Sequence, residues 1–200
     1  MGQTIYLIGA AVLAGTVILL VLQMQFLMSD SGIESSMNRY VQSTAETFKQ
    51  ILRIDIKDVG MAMPRPDESL QVMQPNELEY KVNRDPATAQ IYTINIKTKP
   101  WETGNDPTPQ NPNDFQVIKT VTDPDGNSNE DPYPVTGVAV TSVSDTIFWY
   151  YDDALQQVSN PKQVRYIRFR FKLESKEPFK GEFIYSIVEE RIFLKNVWQF

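Results

Sequence analysis

The side chains best suited to binding a metal lie in one polar segment. Oxygen-bearing side chains occupy alternate positions there: Asp123, Asp125, Asn127, Asn129 and Asp131. Calcium takes about six to eight oxygen ligands, and an EF-hand loop supplies several of them from alternate positions. That loop also has a glycine at its sixth position and a glutamate at its twelfth, where this segment has Ser128 and Pro134. A calcium loop and a solvated acidic loop both stay open, and the sequence favours the solvated loop.

A row of basic side chains alternates along one predicted strand: Arg168, Arg170 and Lys172. Such a row could face a phosphate or a partner protein. It could equally pair with carboxylates on a neighbouring strand, because opposite charges across strands stabilise a sheet. Three glutamates follow closely in the sequence: Glu182, Glu189 and Glu190. We therefore expect ion pairs within the sheet.

Four consecutive aromatic side chains form another candidate: Phe148, Trp149, Tyr150 and Tyr151. Exposed rings could bind carbohydrate, whereas buried rings would contribute a large apolar area to a core. We expect core packing.

The sequence contains no histidine and no cysteine. Histidine is the commonest metal ligand and the commonest general base, so most zinc and thiol chemistry is excluded. Carboxylate or Ser–Lys catalysis would remain possible, but no motif for either is present. The net charge of −6 argues against nucleic acid, whose phosphates need a basic surface. We expect a protein that is not an enzyme and has no cofactor. Apart from the open question of the calcium loop, no residues are assigned to a metal, and no small-molecule substrate is identified.

The element that must organise the rest is a long N-terminal helix. Its first half, residues 1–28, has no charged residue between Thr4 and Met28, and eleven of the residues from Ile5 to Leu22 are Leu, Ile or Val. About 25 helical residues extend roughly 38 Å, which exceeds a hydrocarbon core of about 30 Å. The pattern predicts a transmembrane segment. Small residues within it could allow close helix packing: Gly9, Ala10, Ala14 and Gly15.

The second half of the helix, residues 29–60, is amphipathic. Apolar side chains recur there at helical spacing, with polar residues such as Gln42 and Lys49 between them. Gly60 is placed to end the helix, and Pro64 prevents it from resuming. We expect the apolar face to pack on a sheet, chiefly through Val41, Phe48, Ile51, Leu52 and Ile56.

The remaining residues, 61–200, alternate apolar and polar side chains over several short runs, which predicts β-strands. Residues 77–83 and 90–98 form a hairpin across Asp85 and Pro86, and residues 164–173 have the clearest alternation. Residues from about 100 to 135 are rich in Pro, Asn, Asp and Gly and predict long loops around one short strand. The expected fold class is α+β: the long helix packed on an antiparallel sheet of about five to seven strands.

Two stretches resemble type IV pilins and pseudopilins. Residues 48–61, FKQILRIDIKDVGM, are similar to the helix end of J-type minor pseudopilins of type II secretion and of W-type minor pilins. The family pattern Leu-Arg-x-Asp-Leu-x-x-Ala-Gly is matched by Leu52, Arg53, Asp55, Ile56 and Gly60. The stretch VRYIRFRFKLESKEP, followed by YSIVEERIFLKNV, is similar to the family's closing strands, with Lys195-Asn196 at the place of a terminal Arg-Asn-like pair.

The resemblance implies a pilin-like fold and a structural role in a type IV pilus-like or type II secretion filament. It implies cleavage after Gly2, which would make Gln3 the first mature residue. The partners would be the membrane and other pilin-like subunits, bound through the N-terminal helix. The chain would cross the cytoplasmic membrane once, with the β domain outside the cytoplasm, or would lie in a periplasmic or cell-surface filament.

The residues alone are also compatible with a different class of function. A single-span receptor, adhesin or envelope subunit would also have an apolar anchor followed by an extracytoplasmic β domain. In that case the anchor would need no helical partner, and the β domain would bind the ligand.

Overall fold

The chain begins with a long helix, α1, that spans Gly2–Lys57. The computed structural model describes residues 2–65, 68–85, 87, 90–101, 111, 114–133, 138–141 and 146–198. No proline precedes Pro64, so nothing in the sequence removes a backbone donor from the helix. The helix ends at Lys57, slightly before the predicted stop at Gly60. The backbone N–H of Gly60 donates to the carbonyl of Lys81 at 3.1 Å, so the sheet takes over the backbone hydrogen bonding there.

Packing divides the chain into two compact units, Met1–Tyr40 and Val41–Phe200. The first, here called the N-terminal unit, is the first part of α1. The second, here called the β unit, contains the last part of α1 and the strands. The end of the helix is therefore packed as part of the β unit.

The described residues form nine strands: β1 Leu70–Gln74, β2 Glu77–Asp85, β3 Gln90–Pro100, β4 Phe115–Thr122, β5 Ser128–Pro132, β6 Val138–Thr141, β7 Phe148–Tyr151, β8 Tyr166–Ser175 and β9 Tyr185–Phe193. They belong to one sheet of order β1-β2-β3-β4-β6-β8-β7, with β5 paired to β4 and β9 paired to β8. Every pairing between them is antiparallel. Short 3₁₀ helices span Pro161–Gln163 and Lys195–Trp198. The predicted α+β class, a long helix with an antiparallel sheet, is confirmed.

The sheet curls because its far strand returns to the first hairpin. The backbone N–H groups of Ile147 and Phe148 both donate to the carbonyl of Pro75, at 2.7 and 2.9 Å. The hydroxyl of Tyr150 shares its one proton between the carbonyls of Gln74 at 3.2 Å and Glu77 at 3.1 Å. Burial raises the pKa of Tyr150 well above its usual range, so its hydroxyl stays protonated and can donate.

Part of the segment expected as loops is a hairpin. Strands β4 and β5 pair with each other, with Ile118 opposite Pro132 at one end and Thr122 opposite Ser128 at the other. A tight turn at residues 123–127 joins them. We call β4, this turn and β5 the acidic hairpin, because it contains Asp123, Asp125, Glu130 and Asp131. All of β5 is exposed and, apart from Pro132, polar, so it lacks the apolar alternation that identifies a strand in a sequence.

The core of the β unit lies on the inner face of the curled sheet. Strand β8 confirms the predicted alternation, because its inward residues are fully buried: Ile167, Phe169, Phe171 and Leu173. Its basic residues occupy the other face. The last part of α1 packs against this inner face, with Phe48 edge-on to Phe171 at 5.0 Å between ring centroids.

Candidate functional site

The N-terminal unit carries a long exposed apolar surface. Among the described residues, α1 is the helix that is long and apolar enough to span a membrane, and none of its most apolar window is buried within the chain. Its exposed large side chains include Val12, Leu13, Val17, Ile18, Leu19, Leu20, Val21, Leu22, Met24, Phe26, Leu27 and Met28. Apolar surface of this extent is stable only against lipid or another protein.

The small residues predicted to allow helix packing lie within this surface. Ala10 and Ala14 are exposed, and a Cβ atom added to Gly15 would meet no other atom within 4 Å. Gly9 lies in the same helix, but its surroundings are outside the described part of the structure. The same applies to the surroundings of Gly2 and Gln3, at the predicted processing site.

The last turns of α1 carry the residues predicted to pack on the sheet. Val41, Phe48, Leu52 and Ile56 are at most 1% exposed, and Ile51 is half-buried. Phe48 contacts both Phe171 and Tyr133, whose ring centroid lies 5.8 Å away in an edge-on arrangement. These side chains hold the end of the helix inside the sheet.

A cluster of polar side chains also holds the end of α1 on the sheet, through hydrogen bonds to Asp55. Asp55, only 7% exposed, accepts hydrogen bonds from Lys119 Nζ at Oδ1 and from the hydroxyl of Tyr133 at Oδ2, the second at 2.6 Å. The hydroxyl of Tyr80 donates to the backbone carbonyl of Asp55 at 2.6 Å. A buried carboxylate is tolerated only when it is paired and hydrogen-bonded, as here. Asp55, Lys119 and Tyr133 line a groove of about 380 Å³ together with Arg84.

The ionisable neighbours of Asp55 show the effect of this burial. Burial, and next the charge of Asp55, raise the pKa of both Tyr80 and Tyr133 well above the usual range, so both hydroxyls remain donors. Burial and the nearby Asp55 also raise the pKa of Asp58, although Arg84 and Lys119 oppose the shift. These groups are engaged with one another, which is the pattern of a structural cluster.

A basic cleft of about 480 Å³ lies on another side of the helix end. Its basic side chains are Arg53, Lys57, Arg191 and Lys195, and we call it the cationic cleft. Arg53 Nε pairs with Glu190 Oε1 at 3.0 Å. The 3₁₀ helix of the cleft is tied to α1, because Asn196 Nδ2 donates to the carbonyl of Lys57 at 2.7 Å.

The outer face of β7, β8 and β9 combines basic and aromatic side chains. Arg168 and Arg170 both pair with Glu189 on β9, at 2.8 and 3.4 Å, which confirms the expected ion pairs across strands. Lys172 pairs instead with Glu174 on its own strand. Glu190 lies on the other face and pairs with Arg53, not with the basic row.

The aromatic run divides between the two faces of β7. Phe148 and Tyr150 are buried, as predicted for core packing, whereas Trp149 and Tyr151 are half-buried on the outer face. The guanidinium of Arg168 lies 4.9 Å from the ring centroid of Trp149. The guanidinium of Arg191 lies 5.2 Å from that of Tyr151. The outer rings thus contact cations of the chain itself.

The turn of the acidic hairpin uses the carboxylate that would begin a calcium loop. Both oxygens of Asp123 accept hydrogen bonds from Asn127: Oδ1 from its backbone N–H at 2.8 Å and Oδ2 from its side-chain amide at 2.9 Å. These bonds lower the pKa of Asp123. In the described part of the chain, no group of three or more Asp and Glu side chains is arranged to hold a metal.

Sequence reasoning missed the partners of Asp55. Lys119 lies on β4, Tyr80 lies on β2 and Tyr133 directly follows β5, and none had a sequence signal other than its residue type. It also missed the cationic cleft, because Arg53 and Lys57 are far in sequence from Arg191 and Lys195. One signal could have indicated the cluster around Asp55: this aspartate lies among the apolar positions of an amphipathic helix, where a carboxylate needs a partner.

The chain was compared with protein family models, with curated proteins and with solved structures, and none of them matches it. Its function must therefore be argued from its own residues.

Proposed function

We propose that this protein is a membrane-anchored structural subunit of a filament, without enzymatic activity, similar to the minor pilins and pseudopilins of type IV pili and type II secretion. The observation that carries the proposal is the contrast within α1. Its first part exposes a long run of apolar side chains, whereas its last part is buried in the β unit. A helix of this kind anchors the β unit in a membrane and leaves its apolar surface available to other helices.

The polar clusters of the β unit support a structural role. Asp55, Lys119 and Tyr133 have the residue types of a catalytic site, but they satisfy one another at the end of the helix. The chain also lacks histidine and cysteine. In this proposal the β unit lies outside the cytoplasm and determines which subunits assemble together.

The proposal is tested at the small residues of the anchor. Because the chain has no cysteine, Ala10→Cys introduces a unique thiol whose cross-linking in native membranes reports helix contacts between subunits. Gly15→Leu and Ala14→Leu keep the span apolar, so insertion persists, but they block close helix approach. We expect both to reduce cross-linking and filament assembly.

The matched control is Leu20→Phe, which adds bulk on the side of the helix roughly opposite Ala14 and Gly15 at about 100° per residue. It should leave cross-linking unchanged. Normal assembly in both leucine variants would contradict the filament role.

A second candidate, a single-span binding protein, is favoured by one observation. Tyr185, Ile187 and Phe193 are 57%, 42% and 44% exposed on the outer face of β9. Exposed aromatic and aliphatic side chains of this kind can bind a ligand. This candidate predicts that the leucine variants of the anchor retain full function.

A further inference from the structure

Acidic and basic residues are separated along the sequence of the β unit. Residues 102–153 contain ten Asp and Glu residues and one lysine. Residues 162–195 contain nine Lys and Arg residues and five Asp and Glu residues. Surfaces of opposite charge on one molecule attract each other between copies and orient them.

The cationic cleft combines basic residues of α1 with basic residues from the end of this region, and most of them lack acidic partners among the described residues. Lys57, Arg191 and Lys195 have no carboxylate within ion-pair distance among the described residues, and only Arg53 is paired, with Glu190. These charges repel one another across the cleft. An acidic group from outside the chain would therefore bind there favourably.

The acidic hairpin is the complementary surface. Every residue from 124 to 132 is exposed, so the turn projects from the sheet. The hydrogen bonds to Asp123 fix its shape, and Gly126 supplies the positive φ of +89° that the turn requires. Because the hairpin is already ordered, little conformational entropy is lost when it binds.

We propose that the cationic cleft of one copy binds the acidic hairpin of a second copy of this chain. Asp125 at the turn and Glu130 on β5 are the carboxylates placed to meet the cleft; Glu130 lies 3.8 Å from Lys97, a distance at which an exposed pair contributes little. The hairpin of the same chain does not line its own cleft. The contact is therefore between molecules.

The cleft suits a polypeptide better than a small anion such as phosphate. Glu190 Oε2 is buried there and accepts no hydrogen bond from any described residue. A compact anion would bring more negative charge to this oxygen. The hairpin instead offers carboxylates that are spaced apart, at Asp125 and Glu130.

The cleft and the hairpin are different surfaces, so the contact is heterologous. Each added copy leaves one cleft and one hairpin available, and such contacts generate open chains unless they close into a ring. The inference deepens the proposed filament function and rests on it, because it names a second copy as the partner of the β unit.

The test uses the full chain in native membranes. A Ser128→Cys copy is coexpressed with a Phe193→Cys copy, which places one thiol in the hairpin and one beside the cleft. After oxidation of the membranes with copper phenanthroline, we expect a mixed disulfide dimer whose yield falls when the oxidation is carried out at high salt. Lys195→Glu in the cleft copy, or Asp125→Lys in the hairpin copy, should each reduce its yield by about five- to tenfold. The two reversals together should restore it. Lys176→Glu, an exposed change of equal charge outside the cleft, should have no effect.

Three results would overturn the inference. One is a mixed dimer that neither reversal reduces, and another is no mixed dimer at all. The third is a loss caused by Lys195→Glu alone without rescue, which would assign the cleft to a different acidic occupant. Cross-linking through Ala10→Cys, measured in the same membranes, separates the two proposals. If cross-linking through Ala10→Cys persists while the mixed dimer is absent, the filament function is supported and the contact between cleft and hairpin is contradicted.

Discussion

The two ends of α1 have similar apolar residues but opposite surroundings. In the N-terminal unit, Leu19 and Phe26 are 63% and 71% exposed. In the β unit, Phe48 and Leu52 are 1% and 0% exposed. The difference lies in the charged residues, which interrupt the apolar side chains only in the second stretch, at Glu46, Lys49 and Arg53. An apolar helix segment therefore has to be covered, and the spacing of its charged residues indicates whether the chain itself or its surroundings cover it.

The most direct way to break this comparison is to remove a buried ring from the second stretch. Phe48→Ala deletes edge-on contacts with Phe171 and Tyr133 and leaves a cavity in the core. We expect the free energy of unfolding of the β unit to fall by about 3–5 kcal/mol. Chemical denaturation of the full chain in detergent micelles measures it.

The control for Phe48 is its neighbour Lys49, which pairs with Glu46 on the exposed side of the helix. Lys49→Ala should change the free energy of unfolding by less than about 0.5 kcal/mol. Equal losses from both substitutions would mean that the helix end is not docked on the sheet.

The opposite change tests the first stretch. Leu19→Asp places a charge in the middle of the apolar segment, which should make its insertion less favourable by about 3–4 kcal/mol. The stability of the β unit should not change, because Leu19 belongs to the N-terminal unit. An insertion assay measures the first effect, with Leu19→Ile as the matched control. Unchanged insertion of the Asp variant would contradict the assignment of this surface to lipid.

The sequence predicts the features of the fold that have a local pattern of apolar side chains and misses those that do not. The long apolar helix, its docked face and the alternation of β8 were predictable, because each is a run or a periodic pattern of apolar side chains. Strand β5 was not, because all of its residues are exposed and, apart from Pro132, polar. The partners of Asp55 and the cationic cleft were not predictable either. Each depends on residues brought together from distant parts of the chain.

The cluster around Asp55 tests whether hydrogen bonds, besides apolar packing, hold the last part of α1 in the β unit. Asp55→Ala leaves Lys119 and Tyr133 without their acceptor. We expect a loss of about 2–3 kcal/mol in the free energy of unfolding, discounted for the partial exposure of Lys119. Adding Lys119→Met should recover at least about 1 kcal/mol of it. Strictly additive losses would mean that the pair is not coupled.

The smallest effect concerns Asp58, just beyond the last turn of α1. Its pKa in the folded chain is raised above 3.8, chiefly by burial. The folded state therefore binds this proton more tightly than the unfolded state does, and stability falls as the pH rises from about 3.8 through the folded pKa. The carbonyls at the helix end add to the penalty on the charged form.

Asp58→Asn should remove that penalty. We expect it to stabilise the β unit by at most about 0.5 kcal/mol at pH 7, discounted for solvent screening of the partly exposed carboxyl, with the gain disappearing towards pH 3.8. Denaturation at several pH values measures it, and Glu177→Gln at an exposed position is the control. A gain that grows as the pH falls would show that the sign is wrong.

The bond from Asn196 to the carbonyl of Lys57 also sets an order of events during synthesis. The two residues are 139 positions apart, so at about 5–20 residues per second roughly 7–28 s separate their emergence from the ribosome. Val197, which lies against Gly60, arrives with Asn196. Throughout that interval the apolar face at the helix end has no cover from these residues. A chaperone that binds nascent apolar helices would find its target there, and its release would coincide with translation of this closing 3₁₀ turn.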